Sequence, residues 1–325
     1  MGVMVSVIVP TFRRPALLER CLEALLAQDF APAAYEILIV DDAACKATRV
    51  QIENCARRAA ERGSRVYYLS TAGAQGPAVA RNLGWRAARG EIIAFTDDDC
   101  MPTSGWLSAG VAAFTNEVMA VSGRIRVPVP ARPTDYEYDT AHLEQSEFAT
   151  ANCFYRRAAL ETVGGFDERF TAAWREDSDL FFMVLERGLR HCVAENAVVV
   201  HPVRPARWGV SLAQQRKCMF NALLYKKHPV LYRQYIQATP PWQYYCIGGS
   251  WLVVLLGIIG QSWTLILAAL AFWCLLVGRF CLRRLACTSH APGHVSEMII
   301  TSILIPPLAI FWCLRGMVVF RVPFL

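Results

Sequence analysis

The stretch that most constrains this chain is Ile92-Ile93-Ala94-Phe95-Thr96 followed by Asp97-Asp98-Asp99. An apolar, β-branched run of this length reads as a short buried strand. It ends in three consecutive carboxylates, which repel one another and are costly to desolvate without a positive partner. A divalent cation resolves the conflict, because oxygen ligands at the end of a strand suit Mg²⁺ or Mn²⁺ shared with substrate phosphates. The plainer alternative is a solvated acidic turn, or a cluster capping the next helix.

The flanking chain supplies a frame for that strand. Residues 5–9 read as a first strand, followed by Pro10-Thr11-Phe12-Arg13-Arg14 and a helix that starts on Pro15. Leu18, Cys21, Leu22 and Leu25 recur there at helical spacing. A second strand over 35–40 runs into Asp41-Asp42, a helix occupies about 46–61, and a third strand covers 66–69. The loop over 70–77 then opens a helix that carries Arg81. Strands alternating with helices predict an α/β fold with a mostly parallel sheet. Ligands of such sheets sit at the carboxyl ends of the strands, where Asp41, Asp42 and Asp97–Asp99 all fall.

Charge divides the chain in two. Residues 1–195 hold 21 Lys and Arg against 26 Asp and Glu, whereas residues 196–325 hold 12 basic residues and one acid, Glu297. With 54% hydrophobic residues overall, an acidic α/β part precedes a basic, apolar part. Basic charge beside apolar spans points to anionic membrane lipids rather than to nucleic acid. The twelve cysteines show no paired C-x-x-C spacing, which fits reduced, buried thiols.

Taken together, Val7-Ile8-Val9-Pro10-Thr11-Phe12, Val40-Asp41-Asp42, Gly76-Pro77 through Gly84, and Thr96-Asp97-Asp98-Asp99 resemble the inverting family 2 glycosyltransferases of GT-A fold. Asn152-Cys153-Phe154, Gly164-Gly165-Phe166-Asp167 and Trp174-Arg175-Glu176-Asp177 extend the resemblance to about residue 202. It implies that Asp42 and the Pro10-Thr11 turn hold the nucleotide base and ribose, that Asp41 and Arg81 lie near the nucleotide, and that Asp97 and Asp99 bind metal and diphosphate. A departing diphosphate needs its growing charge neutralised as the sugar carbon becomes oxocarbenium-like. Asp98 is expected to orient its neighbours through hydrogen bonds or to cap a helix.

Acids in a first helical turn complement the helix dipole, and Glu176, Asp177 and Asp179 are placed to open such a helix. A general base fits there equally well, since an attacking hydroxyl must lose its proton. The resemblance assigns that role to Asp177, with Glu176 and Asp179 supporting it. His201 closes a strand over 197–200 and is either structural or a third metal ligand. Residues 124–148 lack periodicity and read as a loop on the acceptor side or a surface excursion.

Seven basic residues and no acid lie between Arg204 and Arg233, interleaved with Leu212, Met219, Phe220, Leu223 and Leu224. That pattern predicts an amphipathic helix on a bilayer surface. Gln214-Gln215-Arg216 lacks the Trp of the Q-x-x-R-W motif of processive synthases, which favours transfer of a single sugar. From Tyr244 to Phe280 the one charge is Arg279, enough length for two spans folded at Gly260-Gln261-Ser262. Arginines in residues 279–294 place that loop in the cytoplasm. Residues 299–320, interrupted by Pro306-Pro307, either span with a kink or return as a re-entrant hairpin.

The expected layout is a GT-A domain over 1–203, a basic juxtamembrane region over 204–241 and membrane helices over 242–325. The expected function is single-sugar transfer from a nucleotide-diphosphate sugar, a UDP-sugar first, to a hydroxyl of a lipid-linked or envelope glycan. The site would lie on the cytoplasmic face of the cell inner membrane. Alternatives are a polyprenol-phosphate glycosyltransferase, whose anionic acceptor needs no base, and a non-catalytic nucleotide-sugar-binding membrane module.

Overall fold

The computed structural model of the chain describes every residue except Met1, Ala72, Ala74 and Leu325; the two alanines fall in the loop that precedes the Arg81 helix. It divides into two compact units, Met1–Pro128 with Ala141–Pro202, and Val129–Thr140 with Val203–Leu325.

The first unit is built on an eight-stranded sheet. Its strands are β1 (Val5–Thr11), β2 (Tyr35–Asp41), β3 (Arg65–Ser70), β4 (Ile92–Phe95), β5 (Met101–Pro102), β6 (Val118–Arg126), β7 (Cys153–Arg156) and β8 (Arg190–Val200). They lie in the order β3-β2-β1-β4-β7-β6-β8-β5. The β3-β2-β1-β4 half is wholly parallel, while β7 is antiparallel to both β4 and β6, and β8 returns parallel to β6. The sheet is therefore mixed and mostly parallel. Strand order reverses between β1 and β4, so the crevice beyond their carboxyl ends is where a ligand is best accommodated. Thr11 and Asp97 stand on either side of it.

Burial explains why these segments form strands. All of β2 and all of β4 are buried, as parallel strands covered on both faces require. Helices α1 (Pro15–Leu26), α2 (Lys46–Ala60) and α3 (Pro77–Ala87) follow the first three strands, and α4 (Trp106–Ala112) follows β5. Helix α3 approaches the sheet unusually closely. A Cβ on Gly84 would stand 2.4 Å from Ile8 Cγ2 and 3.0 Å from Val40 Cγ2, so only glycine lets α3 settle on β1 and β2. This docking fixes Arg81, three residues earlier on the same helix.

The stretch between β6 and β7 contains α5 (Asp135–Ala141) and a 3-10 turn over His142–Gln145. Residues 129–140 of it group with the second unit. Helices α6 (Arg157–Val163) and α7 (Glu176–Glu186) complete the first unit.

In the second unit the basic region is α8 (Val210–Gln214), a 3-10 turn (Gln215–Cys218), α9 (Met219–Lys227) and the short α10 (Pro229–Leu231), rather than one helix. The apolar side of α9, Phe220, Leu223 and Leu224, is buried. Three long apolar helices follow, α11 (Trp242–Ile259), α12 (Trp263–Leu285) and α13 (Pro292–Phe320), each long and apolar enough to cross a membrane. Helix α13 runs unbroken through Pro306-Pro307, so the third apolar stretch is a single helix and not a hairpin. Its Gly316 lies against the Met219 backbone, where a Cβ would come within 2.4 Å of the carbonyl oxygen, and Phe220 packs on Phe320 at 6.1 Å. The apolar side of α9 is therefore covered by α13 instead of being offered to a bilayer.

Candidate active site

The three carboxylates after β4 have three different environments. Asp98 is buried and accepts hydrogen bonds from Thr11 Oγ1 at 2.7 Å and Arg14 Nη1 at 3.0 Å. It joins the ends of β1 and β4 across the switch point. Burial raises its pKa, opposed by Arg14 and Thr11. Asp97 keeps a quarter of its side chain exposed and meets Arg81 Nη2 at 2.8 Å. Asp99 is buried beside His201, Oδ1 to Nε2 3.6 Å.

Arg81 is the centre of the site. Its guanidinium is almost wholly buried, with Nη2 on Asp97 and Nη1 on Glu176 Oε1 at 3.0 Å. A buried charge is tolerable only when paired, and both carboxylates hold the guanidinium in its charged form against the effect of burial. The Phe166 ring lies 5.7 Å beneath it and packs edge-on against Phe95 at 5.2 Å. This bridge ties the end of β4 to the first turn of α7. It also places Arg81 on the carboxylates of Asp97 and Glu176, beside the crevice near which the sequence expected it.

Asp177 follows Glu176 in that turn. Glu176 and Asp179 are buried, whereas Asp177 is half-buried and accepts from its neighbour's N–H, Ser178 N to Oδ1, at 2.7 Å. Burial, then the adjacent Asp177, pushes the Glu176 carboxyl above the usual carboxylate range, with Arg81 opposing. The arrangement presents one carboxylate to solvent on a rigid mount formed by the other two acids. That is what a proton acceptor needs.

Asp42 and Asp41 work locally. Asp42 accepts from Thr71 Oγ1 at 2.8 Å, Gln75 N at 3.0 Å and Gly76 N at 2.9 Å, and so shapes the loop that feeds α3. Gly76 has φ +104° and a Cβ there would meet the Thr171 carbonyl at 2.7 Å, so this loop requires glycine. Asp41 is fully buried and takes Ala43 N, Cys45 N and the Tyr68 hydroxyl at 2.9, 2.7 and 3.1 Å. Its carboxylate serves the turn into α2. The Thr11 hydroxyl is likewise held by Asp98, and its carbonyl accepts from Asp42 N at 2.9 Å, at the end of β1 that borders the crevice.

Asp99, Cys100 and His201 offer ligand atoms that all lie within 4.8 Å of one another. His201 turns Nε2 toward Asp99 and leaves Nδ1 buried without a hydrogen-bond partner. Burial, reinforced by Asp97 and Asp99, raises the Cys100 thiol well above its usual range, so the carboxylate and the imidazole are the usable donors. They fit a divalent cation. Asp97, expected to share that cation, is brought to Arg81 and not into this cluster.

Three supporting residues were not assigned roles from the sequence: Arg14, Asn82 and Phe166. Asn82 accepts from Phe166 N and Trp85 Nε1, both at 2.9 Å, and donates to the Phe166 carbonyl and Glu168 at 2.8 Å. It locks the Gly164-Gly165 turn onto α3; a Cβ on Gly165, at φ +78°, would come 2.6 Å from Asn82 Oδ1. The glycine pair was the signal that a close approach occurs here.

A switch-point crevice lined by strand-end carboxylates, with an acidic helix start beside it, defines a nucleotide-sugar transferase of the GT-A kind. The sequence matches the family model "Glycosyl transferase family 2" over residues 6–180, more than half of its length, and the chain belongs to that family. It is 28% identical over 211 residues to the glycosyltransferase AglE of Haloferax volcanii, covering 62% of this chain and 67% of that protein. Over 104 residues, 32% of each protein, it is 38% identical to the GalNAc(5)-diNAcBac-PP-undecaprenol β-1,3-glucosyltransferase of Campylobacter jejuni. Other relatives are matched over smaller shares of their length than AglE, 31% of the pre-mycofactocin glycosyltransferase and 57% of a validoxylamine A glucosyltransferase. Among solved structures, the mannosyltransferase PcManGT of Pyrobaculum calidifontis, in complex with GDP-Man and Mn²⁺, shares the fold with a TM-score of 0.61 at 19% identity, over 98% of this chain and 88% of that one. S. aureus TarS 1–349 with UDP-GlcNAc follows at 0.52 and 16% identity, over 94% and 91%.

Proposed function

We propose that this glycosyltransferase is a membrane-anchored inverting enzyme that moves one sugar from a nucleoside-diphosphate donor to a hydroxyl of a lipid-linked or envelope glycan. The observation that carries this reading is the half-exposed Asp177, mounted by the Arg81–Glu176 bridge beside Asp97. A hydroxyl nucleophile needs such a base, and a phosphate nucleophile does not. The donor's base and ribose would be held between the Asp42-shaped loop and the Pro10-Thr11 main chain. Asp99 and His201, with Asp97 available on nucleotide binding, would hold Mg²⁺ or Mn²⁺, which supplies charge neutralisation for the leaving diphosphate.

Membranes containing the chain are expected to release nucleotide from one donor in a panel of UDP-, GDP- and dTDP-sugars. Release should stop in excess chelator and return with Mn²⁺ or Mg²⁺. Full turnover in chelator removes the cation from this account, and no release with any donor favours the non-catalytic module.

The membrane arrangement follows from charge. The N-terminal part of α13 is tied to the basic region through Glu297, whose carboxylate accepts from Gly209 N at 2.6 Å. At its other end Lys226 Nζ donates to the Phe320 carbonyl at 2.8 Å. An α13 that crossed the bilayer would carry Lys226 to the opposite surface from Glu297 and draw the basic region between these two contacts, Arg216 and Lys217 included, through the hydrocarbon, at a cost of about 2.5–3.5 kcal/mol for a charge at mid-membrane depth. Helices α11 and α12 are therefore the two spans, and α13 lies along the cytoplasmic interface with its outward Ile300, Leu304, Phe311 and Val318 in lipid. A cysteine at position 321 should label from the same side as Cys287. Labelling from the opposite side would make α13 a third span.

A further inference from the structure

The second unit contains a cavity of about 460 Å³ that the reaction described above does not use. Its walls are the first turn of α11 (Trp242, Tyr244), the last turns of α12 (Phe280, Arg283, Arg284) and Asp135 of α5, all of one unit. The size falls within the range of about 300–1,000 Å³ typical of small-ligand sites.

The chemistry of the walls is specific. Arg284 is held in place: Nε and Nη2 reach Asp135 at 3.1 and 2.7 Å, Nη1 reaches Thr301 Oγ1 and Ser302 Oγ at 2.7 and 3.0 Å, and the Phe280 ring lies 5.5 Å from its guanidinium carbon. Arg283 is exposed, and its hydrogen bond is a long 3.5 Å contact to Gln243 Oε1, with no carboxylate partner among the described residues. One arginine builds the wall and the next presents an uncompensated cation to it. Tyr244 and Phe280 meet edge-on at 5.5 Å and supply an aromatic surface beside that cation. Trp and Tyr at a span terminus settle at the headgroup level of a bilayer, so the cavity lies where a lipid phosphate meets its first chain carbons.

We propose that this cavity binds the phosphate or diphosphate headgroup of the lipid that carries the acceptor, an assignment that rests on the lipid-linked reading of the function. A guanidinium is suited to phosphate, and the aromatic surface to the start of an isoprenoid-like chain. The wall residue Asp135 argues for an acceptor over a bulk phospholipid. It belongs to the segment inserted between β6 and β7 of the catalytic sheet, nine residues after Arg126, whose carbonyl pairs with the His201 N–H at 2.8 Å. A site for a bulk anchoring lipid has no need of a wall drawn from that chain.

Cys287 is exposed and lines the cavity, and it provides a reporter that needs neither donor nor turnover. The full chain is placed in phosphatidylcholine nanodiscs, and the rate of maleimide addition at Cys287 is followed by peptide mass mapping. Polyprenyl phosphate at ten times its Kd is expected to slow the reaction about tenfold. Arg283→Gln should raise the Kd by about ten- to a hundredfold, so that the same lipid concentration leaves about twofold protection or none, and Arg283→Lys should restore part of it. Equal protection by phosphatidylglycerol alone would make the occupant a bulk lipid and overturn the proposal. Equal protection by inorganic phosphate would do the same in favour of a free anion, and no protection by polyprenyl phosphate would remove the site. A chain that transfers sugar without protection refutes this site alone. One that shows protection without transfer refutes the enzyme reading and leaves the headgroup site standing.

Discussion

Asp177→Asn is expected to lower the transfer rate by about 10²- to 10⁴-fold, the usual consequence of removing a general base. Asparagine keeps the shape and the Ser178 N–H contact of the aspartate but cannot accept the acceptor's proton. The neighbouring Arg81–Glu176 bridge is untouched, so the donor pocket stays formed and donor Kd should remain near that of the wild type. The loss therefore falls in kcat rather than in donor affinity. Calorimetric donor binding together with a transfer assay in membrane extract separates these quantities. A variant within a few-fold of the wild-type rate would take Asp177 out of the chemistry, and parallel loss of donor binding would make it structural.

Arg81→Met acts through a different route and should be severe for folding as well as for activity. The substitution leaves Glu176 buried with no counter-charge and releases Asp97, and breaking a buried pair in this way typically costs about 3–5 kcal/mol. Adding Glu176→Gln removes the stranded charge. The double variant is accordingly expected to recover much of the stability but not the turnover, because Asp97 and the α7 start remain unlinked. Denaturant titration of the detergent-solubilised chain reads the first effect and the transfer assay the second. Equal stability of the Arg81→Met chain and wild type would show that the bridge contributes little.

The sequence was most legible where local chemistry and global fold agree. The apolar runs of β1, β2 and β4, Pro15 at the start of α1 and the glycines at 76 and 165 each have one structural solution, and the sheet, the first helix and the tight loops follow from them. The acidic residues were legible as a group and less so individually. Spacing shows that Asp97, Asp98 and Asp99 end one strand, but not which of them Thr11, Arg81 or His201 meets, since those partners come from distant segments. Asp41 looked like Asp42 in sequence, yet only the fold shows its carboxylate held by three donors. Arg81 was visible as a cation near the site. Its role as a bridge depends on Glu176, which is 95 residues away. In the second unit, hydropathy marked each apolar stretch but could not reveal that Gly316 lets α13 cover the apolar side of α9.

Transfer to a hydroxyl, as opposed to a phosphate, is read from the bond formed in the product. Membranes containing the chain are incubated with radiolabelled donor, and the extracted lipid product is treated with mild acid, which cleaves anomeric phosphate esters and spares glycosides between sugars. The label is expected to leave the lipid as part of an oligosaccharide, because the new bond joins it to a sugar hydroxyl. Release of the label as a free monosaccharide would show that the acceptor was a lipid phosphate, and would contradict both the hydroxyl acceptor and the role given to Asp177.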